Sequence, residues 1–285
     1  MIYQKILSVN KALSIQAHPS KDWAKKLFKE DPEHYKDDNY KPEMIIALGK
    51  FEALNRFCTA KNIIKNIEQF PEVIDILGKQ CYHEFIIEKK QKQQQLILKK
   101  MIQNLINQEQ KSIDKVIEKI QKKIDTKLEN NKILSIRENL IQRLNQWYPN
   151  DAGILVSLFL NYTVLEKGES LILDENQPHA YVQGECLECM ASGDNVVRLG
   201  LTPKFKDRQT IMDMLTFSLE DTKIQKGKLI SGLRNLESTV LQYYSEYEEF
   251  KVNYLILEDI NQKSQIFKSE GPLVVLPYQN EWNFE

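Results

Sequence analysis

Long apolar runs are missing from this chain of 285 residues. No stretch of about eighteen apolar residues occurs, and the N-terminal MIYQKILSVNKALSIQ lacks the apolar centre of a secretory signal. Neither a membrane-spanning helix nor a secretory signal is expected, and a soluble cytoplasmic protein is expected. Charge of one sign is lacking too. Lys and Arg number 39 against 40 for Asp and Glu, a net charge of -1 that gives no field to recruit nucleic acid or an anionic membrane. Cysteine is scarce: Cys58, Cys81, Cys186 and Cys189 are too few and too scattered for a disulfide framework in a chain of this length, and they are expected to be reduced. What is present is 42% hydrophobic residues, enough to bury one large core or two modest ones.

Glycine and proline are absent throughout residues 79–148, where Lys, Gln, Asn, Ile and Glu dominate. Ile113, Val116, Ile117, Ile120, Ile124 and Leu128 recur there at three- and four-residue steps, with lysines and glutamates opposite. Two or three helices follow from this, broken near Asn107 to Gln110 and near Asn130 to Asn131. Heptads are not sustained, so the stretch reads as a helical subdomain packed on its own chain rather than as a coiled-coil arm.

On either side the pattern is that of strands. Residues 2–15 mix apolar and polar positions with β-branched residues recurring. In Ser14-Ile15-Gln16-Ala17-His18 a period of two puts Ser14, Gln16 and His18 on one strand face. Residues 21–38 read as a surface helix and loop, with Trp23, Leu27 and Phe28 at helical spacing among charges and Pro32 ending the helix. In KPEMIIAL a short apolar run predicts a buried strand on which Lys41 and Glu43 share a face. After the turn Pro149-Asn150-Asp151-Ala152-Gly153, ILVSLFLNYTVL and SLIL are read as strands joined by a hairpin-like turn at Glu166-Lys167-Gly168-Glu169. Asn176-Gln177-Pro178 is a second turn, delivering His179 to the start of another strand. Beyond Asp207 come a weaker helix in RQTIMDMLTFSL and two strand-like runs, FKVNYLILEDI and GPLVVLPY. The fold class is α+β.

The stretch 174–207, DENQPHAYVQGECLECMASGDNVVRLGLTPKFKD, gathers His179, Glu188, Asp194, Arg198, Lys204 and Lys206 between turn residues, as a ligand-facing loop system does. Gln16, His18, Glu43 and His179 make a set of nitrogen and oxygen donors without thiolate, which suits zinc in an open catalytic site and also fits manganese, iron or cobalt. Each of these residues alone is more often structural. Cys186-Leu187-Glu188-Cys189 is half a zinc site at best, and its cysteines read as small core residues.

Three blocks in order, ALSIQAHPSKDWAKKLFKEDPEHYKDDNYKPEMIIAL, FEALNRF and QPHAYVQGECLECMASGDNVVRLGLTPKFKD, resemble the type I mannose-6-phosphate isomerases, zinc enzymes of the cupin class. The resemblance implies one zinc ion held by Gln16, His18, Glu43 and His179. It implies catalytic roles for Arg198, Lys41, Lys204 and Asp194, and substrate contacts from Ser14, Tyr181 and Glu188. A cupin, or jelly-roll-type, antiparallel sheet with an inserted helical subdomain is expected. Its parts are metal-binding strands in 1–60, helices in 61–148, strands completing the site in 149–210 and a helix with an incomplete sheet in 211–285. Family members carry further strand-forming sequence on both sides, so a chain truncated at both ends, with strand edges left unpaired, is expected. Tyr40 stands where the family often has His.

The reaction so implied converts mannose 6-phosphate to fructose 6-phosphate through an enediol and feeds GDP-mannose synthesis. It needs a base, a Lewis acid and a phosphate anchor. The partner is a small-molecule sugar phosphate, without nucleic acid or membrane, and the chain is expected to act as a monomer. The other reading is a non-catalytic cupin remnant that keeps the ligands and binds metal or sugar phosphate without turning it over.

Overall fold

A computed structural model of the chain describes residues 2–230 and 238–257, together with 274 and 276. In order the elements are β1 (Ile2–Val9), β2 (Ile15–Ala17), α1 (Lys21–Glu30), β3 (Glu43–Ala47) and β4 (Phe51–Phe57). The helices α2 (Ala60–Gln69), α3 (Ile74–Leu77), α4 (Lys79–Ile87), α5 (Gln91–Ile106), α6 (Gln110–Glu129), α7 (Ile136–Trp147) and α8 (Gly153–Val156) come next. The chain then returns to sheet with β5 (Leu160–Leu165), β6 (Glu169–Leu173), β7 (His179–Ala191) and β8 (Val197–Gly200). After α9 (Arg208–Met214) come β9 (Gln225–Lys226), β10 (Lys228–Leu229), β11 (Ser238–Tyr243) and β12 (Val252–Leu257).

The long strand β7 organises the sheet. Its first half pairs with β4 (Ala53 opposite Tyr181) and, at His179, with Gln16 of β2. Its second half pairs with β3 (Ile45 opposite Glu188) and with β1 (Lys5 opposite Glu188). The change of partners falls at Gly184, whose φ of +117° only glycine adopts readily. Nine antiparallel strands thus curl into a half-barrel, order β5-β4-β7-β3-β6-β9 with β1, β2 and β8 attached at its rim.

Alternation along the strands sorts residues into three apolar layers. Inside the half-barrel lie Val9, Ile45, Phe51, Ala53, Leu171, Tyr181 and Cys186. The other face of β4 and β7, with Leu54, Phe57, Ala180 and Val182, packs on the helices. Met44, Ile46 and Cys189 turn outward against Tyr243 and Val252 of the small sheet β10-β11-β12 and Phe250 of its β11–β12 connection. β3 is therefore buried on both faces, which is why EMIIA reads as a continuous apolar run. The two cysteines of Cys186-Leu187-Glu188-Cys189 face opposite sides of the strand, and all four cysteines are buried free thiols.

The α6 stripe of Ile113, Val116, Ile117, Ile120 and Ile124 is buried, with breaks at 107–109 and 130–135. Residues 79–148 nevertheless hold four helices, because the sequence Glu88-Lys89-Lys90 separates α4 from α5 by taking extended backbone at Glu88 and Lys90. Two further expectations need correction. Residues 153–159 are helical rather than strand, forming α8 and one 3-10 turn, and the strand starts only at Leu160. The turn at 166–169 joins β5 to β6, but these do not pair: β5 lies on β4 and β6 on β3, so the turn is a corner and not a hairpin. The run GPLVVLPY, positions 274 and 276 apart, lies outside the described residues. Among the described residues no helix is long and apolar enough to cross a membrane.

Candidate metal centre

β2, β3 and β7 deliver one donor group each to a single point. Gln16 pairs with His179 across β2 and β7, His18 follows the end of β2, and Glu43 opens β3. His18, Glu43 and His179 are 0%, 2% and 3% exposed, and their ligand atoms lie within 4.8 Å of one another. His18 Nδ1–H donates to the carbonyl of Asn195 at 2.8 Å and His179 Nδ1–H to that of Gln177 at 3.3 Å. Carbonyls only accept, so in the neutral rings each Nε2 is the atom with the lone pair, and both Nε2 atoms are buried without a hydrogen-bond partner. They sit 3.3 and 3.9 Å from the two oxygens of Glu43. Two orphaned imidazole nitrogens facing one carboxylate fit a divalent cation.

Burial alone would raise the Glu43 carboxyl. The His18 ring, the Lys41 ammonium 2.8 Å away and His179 outweigh it, and hold the group well below the usual carboxylate range. His179 is pushed down to about 4 by burial and by His18 alongside, so it stays neutral and able to ligate. The Tyr181 hydroxyl donates to Glu188 at 2.7 Å and lies 3.3 Å from Glu43. Burial and the nearby Glu43 charge raise the Glu188 carboxyl, and burial among the same carboxylates raises Tyr181 well above 10.

These groups surround a cavity of about 200 Å³ lined by Leu7, Leu13, Ser14, Gln16, Lys41, Glu43, His179, Tyr181 and Glu188. Ser14 Oγ donates to the Gln16 side-chain oxygen at 2.8 Å and so fixes the amide. Of the residues singled out in the sequence, Arg198, Lys204, Lys206 and Asp194 do not line this cavity, and His18 lies behind its wall, 3.3 Å from Glu43. Arg198 lies opposite Gln16 on β8, and directly opposed residues in an antiparallel pair project to the same face. Lys204 and Asp194 are exposed beyond it, and no ion pair joins Asp194 to Arg198 among the described residues. Leu7 and Leu13 went unnoticed in the sequence, as did Lys5, which is paired with Glu188 across β1 and β7. The alternation of Lys5 with Leu7 was the available signal, diluted by the half-exposed character of the whole strand. A larger groove of about 410 Å³ along α6 holds no histidine or cysteine.

A curled antiparallel sheet that turns two imidazoles and a carboxylate into its interior has the architecture of the cupin class, and the three side chains form a candidate metal site. Residues 2–60 match the catalytic domain of phosphomannose isomerase type I, and residues 76–160 match its helical insertion domain. The chain is 37% identical to mannose-6-phosphate isomerase 2 of Arabidopsis thaliana, an alignment covering 95% of this chain and 60% of that protein. It is 36% identical to the mannose-6-phosphate isomerase of Schizosaccharomyces pombe, over 95% of this chain and 67% of that protein. It belongs to the type I mannose-6-phosphate isomerase family. A variant of the phosphomannose isomerase from Salmonella typhimurium superposes with a TM-score of 0.73 at 25% identity, covering 88% of this chain and 61% of that one. A mannose 6-phosphate isomerase bound with zinc and yttrium gives 0.72 at 24% identity, covering 88% and 62%. The chain thus spans roughly three fifths to two thirds of the length of these relatives.

Proposed function

We propose that the chain is a mannose-6-phosphate isomerase that binds one zinc ion through Gln16, His18, Glu43 and His179. The observation that carries this reading is the pair of buried, unpartnered Nε2 atoms aimed at Glu43. When bound, zinc supplies a Lewis acid for the substrate oxygens, worth several kcal/mol of barrier.

The chain's own residues account for the rest. Isomerisation takes a proton from C2 of the sugar and returns it at C1. Lys41, an amine at the cavity wall, carries that proton, and its position beside Glu43 fixes where it can reach. Arg198, on Gln16's face, and Lys204 hold the phosphate and the charge that develops on the enediol oxygens. Asp194, in the turn before β8, places a carboxylate four residues before Arg198 on that side of the site. Ser14, Tyr181 and Glu188 bind sugar hydroxyls, Tyr181 being pre-oriented by its bond to Glu188. The chemistry lies in 1–60 and 149–210, and the helices of 61–148 stand outside it. The chain works as a cytosolic monomer. Metal analysis of the purified chain tests the reading: about one zinc per chain is expected, lost in His18→Ala. An unchanged zinc content in that variant refutes the ligand assignment.

A further inference from the structure

The turn between α7 and α8 grips both strands at one end of the ladder that carries Gln16 and Arg198. On the β2 side the Tyr148 hydroxyl donates to the carbonyl of Ala12 at 2.6 Å, just before the cavity residues Leu13 and Ser14. On the β8 side Asp151 takes three donors at once. Its Oδ1 accepts from the N–H of Gly153 and of Leu201, each at 2.7 Å, and its Oδ2 lies 3.1 Å from Lys206 Nζ. Leu201 follows β8 directly and has a φ of +54°, a conformation that persists only where the surroundings impose it. Beneath it Gly153 and Gly200 touch backbone to backbone: a Cβ on Gly200 would come within 2.5 Å of the Gly153 Cα. Gly200 pairs with Ile15, and the next positions along the ladder bring Gln16 opposite Arg198. Lys206 is also held, donating to the carbonyl of Thr202 at 3.1 Å, which leaves Lys204 between two fixed points of its loop.

We propose that Asp151 is a positioning residue for the cations on the substrate side of the site. By holding the strained end of β8 and the following loop, it sets where Arg198 and Lys204 stand relative to the Gln16 face. The inference rests on the isomerase reading only in naming that face the substrate side. A carboxylate is needed because one group must accept two backbone N–H bonds and face an ammonium; an asparagine keeps the first duty and loses the second.

The test uses the full zinc-loaded chain and the variants Asp151→Ala, Asp151→Asn and Lys206→Met. Zinc content, kcat and KM for mannose 6-phosphate, and amide exchange at Leu201 are measured. Asp151→Ala should keep its zinc, expose the Leu201 amide to exchange at least about tenfold faster, and lower kcat by about 10- to 100-fold, the scale of a small misplacement of a charged group. Asp151→Asn should restore the amide protection but, like Lys206→Met, lose about fivefold in rate. Faster exchange with a kcat within about twofold of the parent would overturn the proposal, as would unchanged exchange at Leu201. If Asp151→Ala does not fold, Lys206→Met decides, and a rate within about twofold of the parent refutes it. If the parent chain shows no isomerase activity, that reading falls separately. Asp151 is then judged by calorimetric affinity for mannose 6-phosphate, where an Asp151→Ala value equal to the parent's overturns the positioning role.

Discussion

Replacing Gly184 by alanine should damage the protein more than any other single methyl group added to β7. Gly184 has a φ of +117° and sits where β7 exchanges β4 for β3 and β1 as partners. A Cβ built there lies 2.4 Å from the Lys50 carbonyl oxygen and 2.9 Å from the Phe51 Cα, both backbone atoms that cannot swing aside. Holding an L residue in so sparsely populated a conformation costs about 1–3 kcal/mol, and forcing an extra carbon into packed surroundings adds about 1–3 more. A total near 4 kcal/mol is a large share of the roughly 5–15 kcal/mol that stabilises a typical domain. At about 2–4 °C per kcal/mol for a protein of this size, the melting temperature should fall by about 8–16 °C. The same shift parts Tyr181 from Glu188, which lie on either side of Gly184 and share a 2.7 Å hydrogen bond. Urea unfolding followed by circular dichroism measures the loss. A Gly184→Ala chain within about 1 kcal/mol of the parent would refute the claim that this glycine turns the strand.

Arg198→Ala should leave zinc content and fold unchanged and lower turnover by about 100-fold or more, the scale of losing one preorganised electrostatic group; a change under about fivefold, or loss of zinc with the activity, counts against its assignment. In the metal-free chain His179 stays neutral down to about pH 4, whereas in the unfolded chain it takes up its proton near 6.5. The unfolded state therefore binds more protons between those values, so apo stability is complete above about pH 6.5 and declines as the pH falls toward 4. Denaturant midpoints of chelated protein should accordingly be lower at pH 5 than at pH 7, and an equal or higher midpoint at pH 5 refutes the burial argument.

Local pattern carried the parts of this structure whose causes are local. The period of two around Gln16 and the i, i+3, i+4 stripe from Ile113 to Ile124 are written in neighbouring residues, because a strand and a helix each repeat their burial at a fixed step. The continuous run in Glu43 to Ala47 marked a strand covered on both faces. Ile154 to Phe159 misled, since a short apolar run has the same appearance in a buried helix turn as in a buried strand. The corner at Glu166 to Glu169 was hidden for another reason: whether β6 pairs with β5 or with β3 depends on contacts far along the chain. The same holds for Lys5 and Asp151, whose partners Glu188 and Leu201 are remote in sequence. The resemblance to the family supplied Arg198, Lys204 and Asp194 as site residues; the geometry puts them outside the cavity lined by Glu43 and His179, with Arg198 on the face of Gln16.

The most direct test of the account is a coupled isomerase assay on the purified 285-residue chain, run on mannose 6-phosphate with stoichiometric zinc, after chelation, and after zinc is returned. Fructose 6-phosphate should form in the zinc-loaded sample, cease on chelation, return with the metal and be absent from His179→Ala. Turnover that survives chelation, or a folded zinc-loaded chain that forms no fructose 6-phosphate, would contradict it.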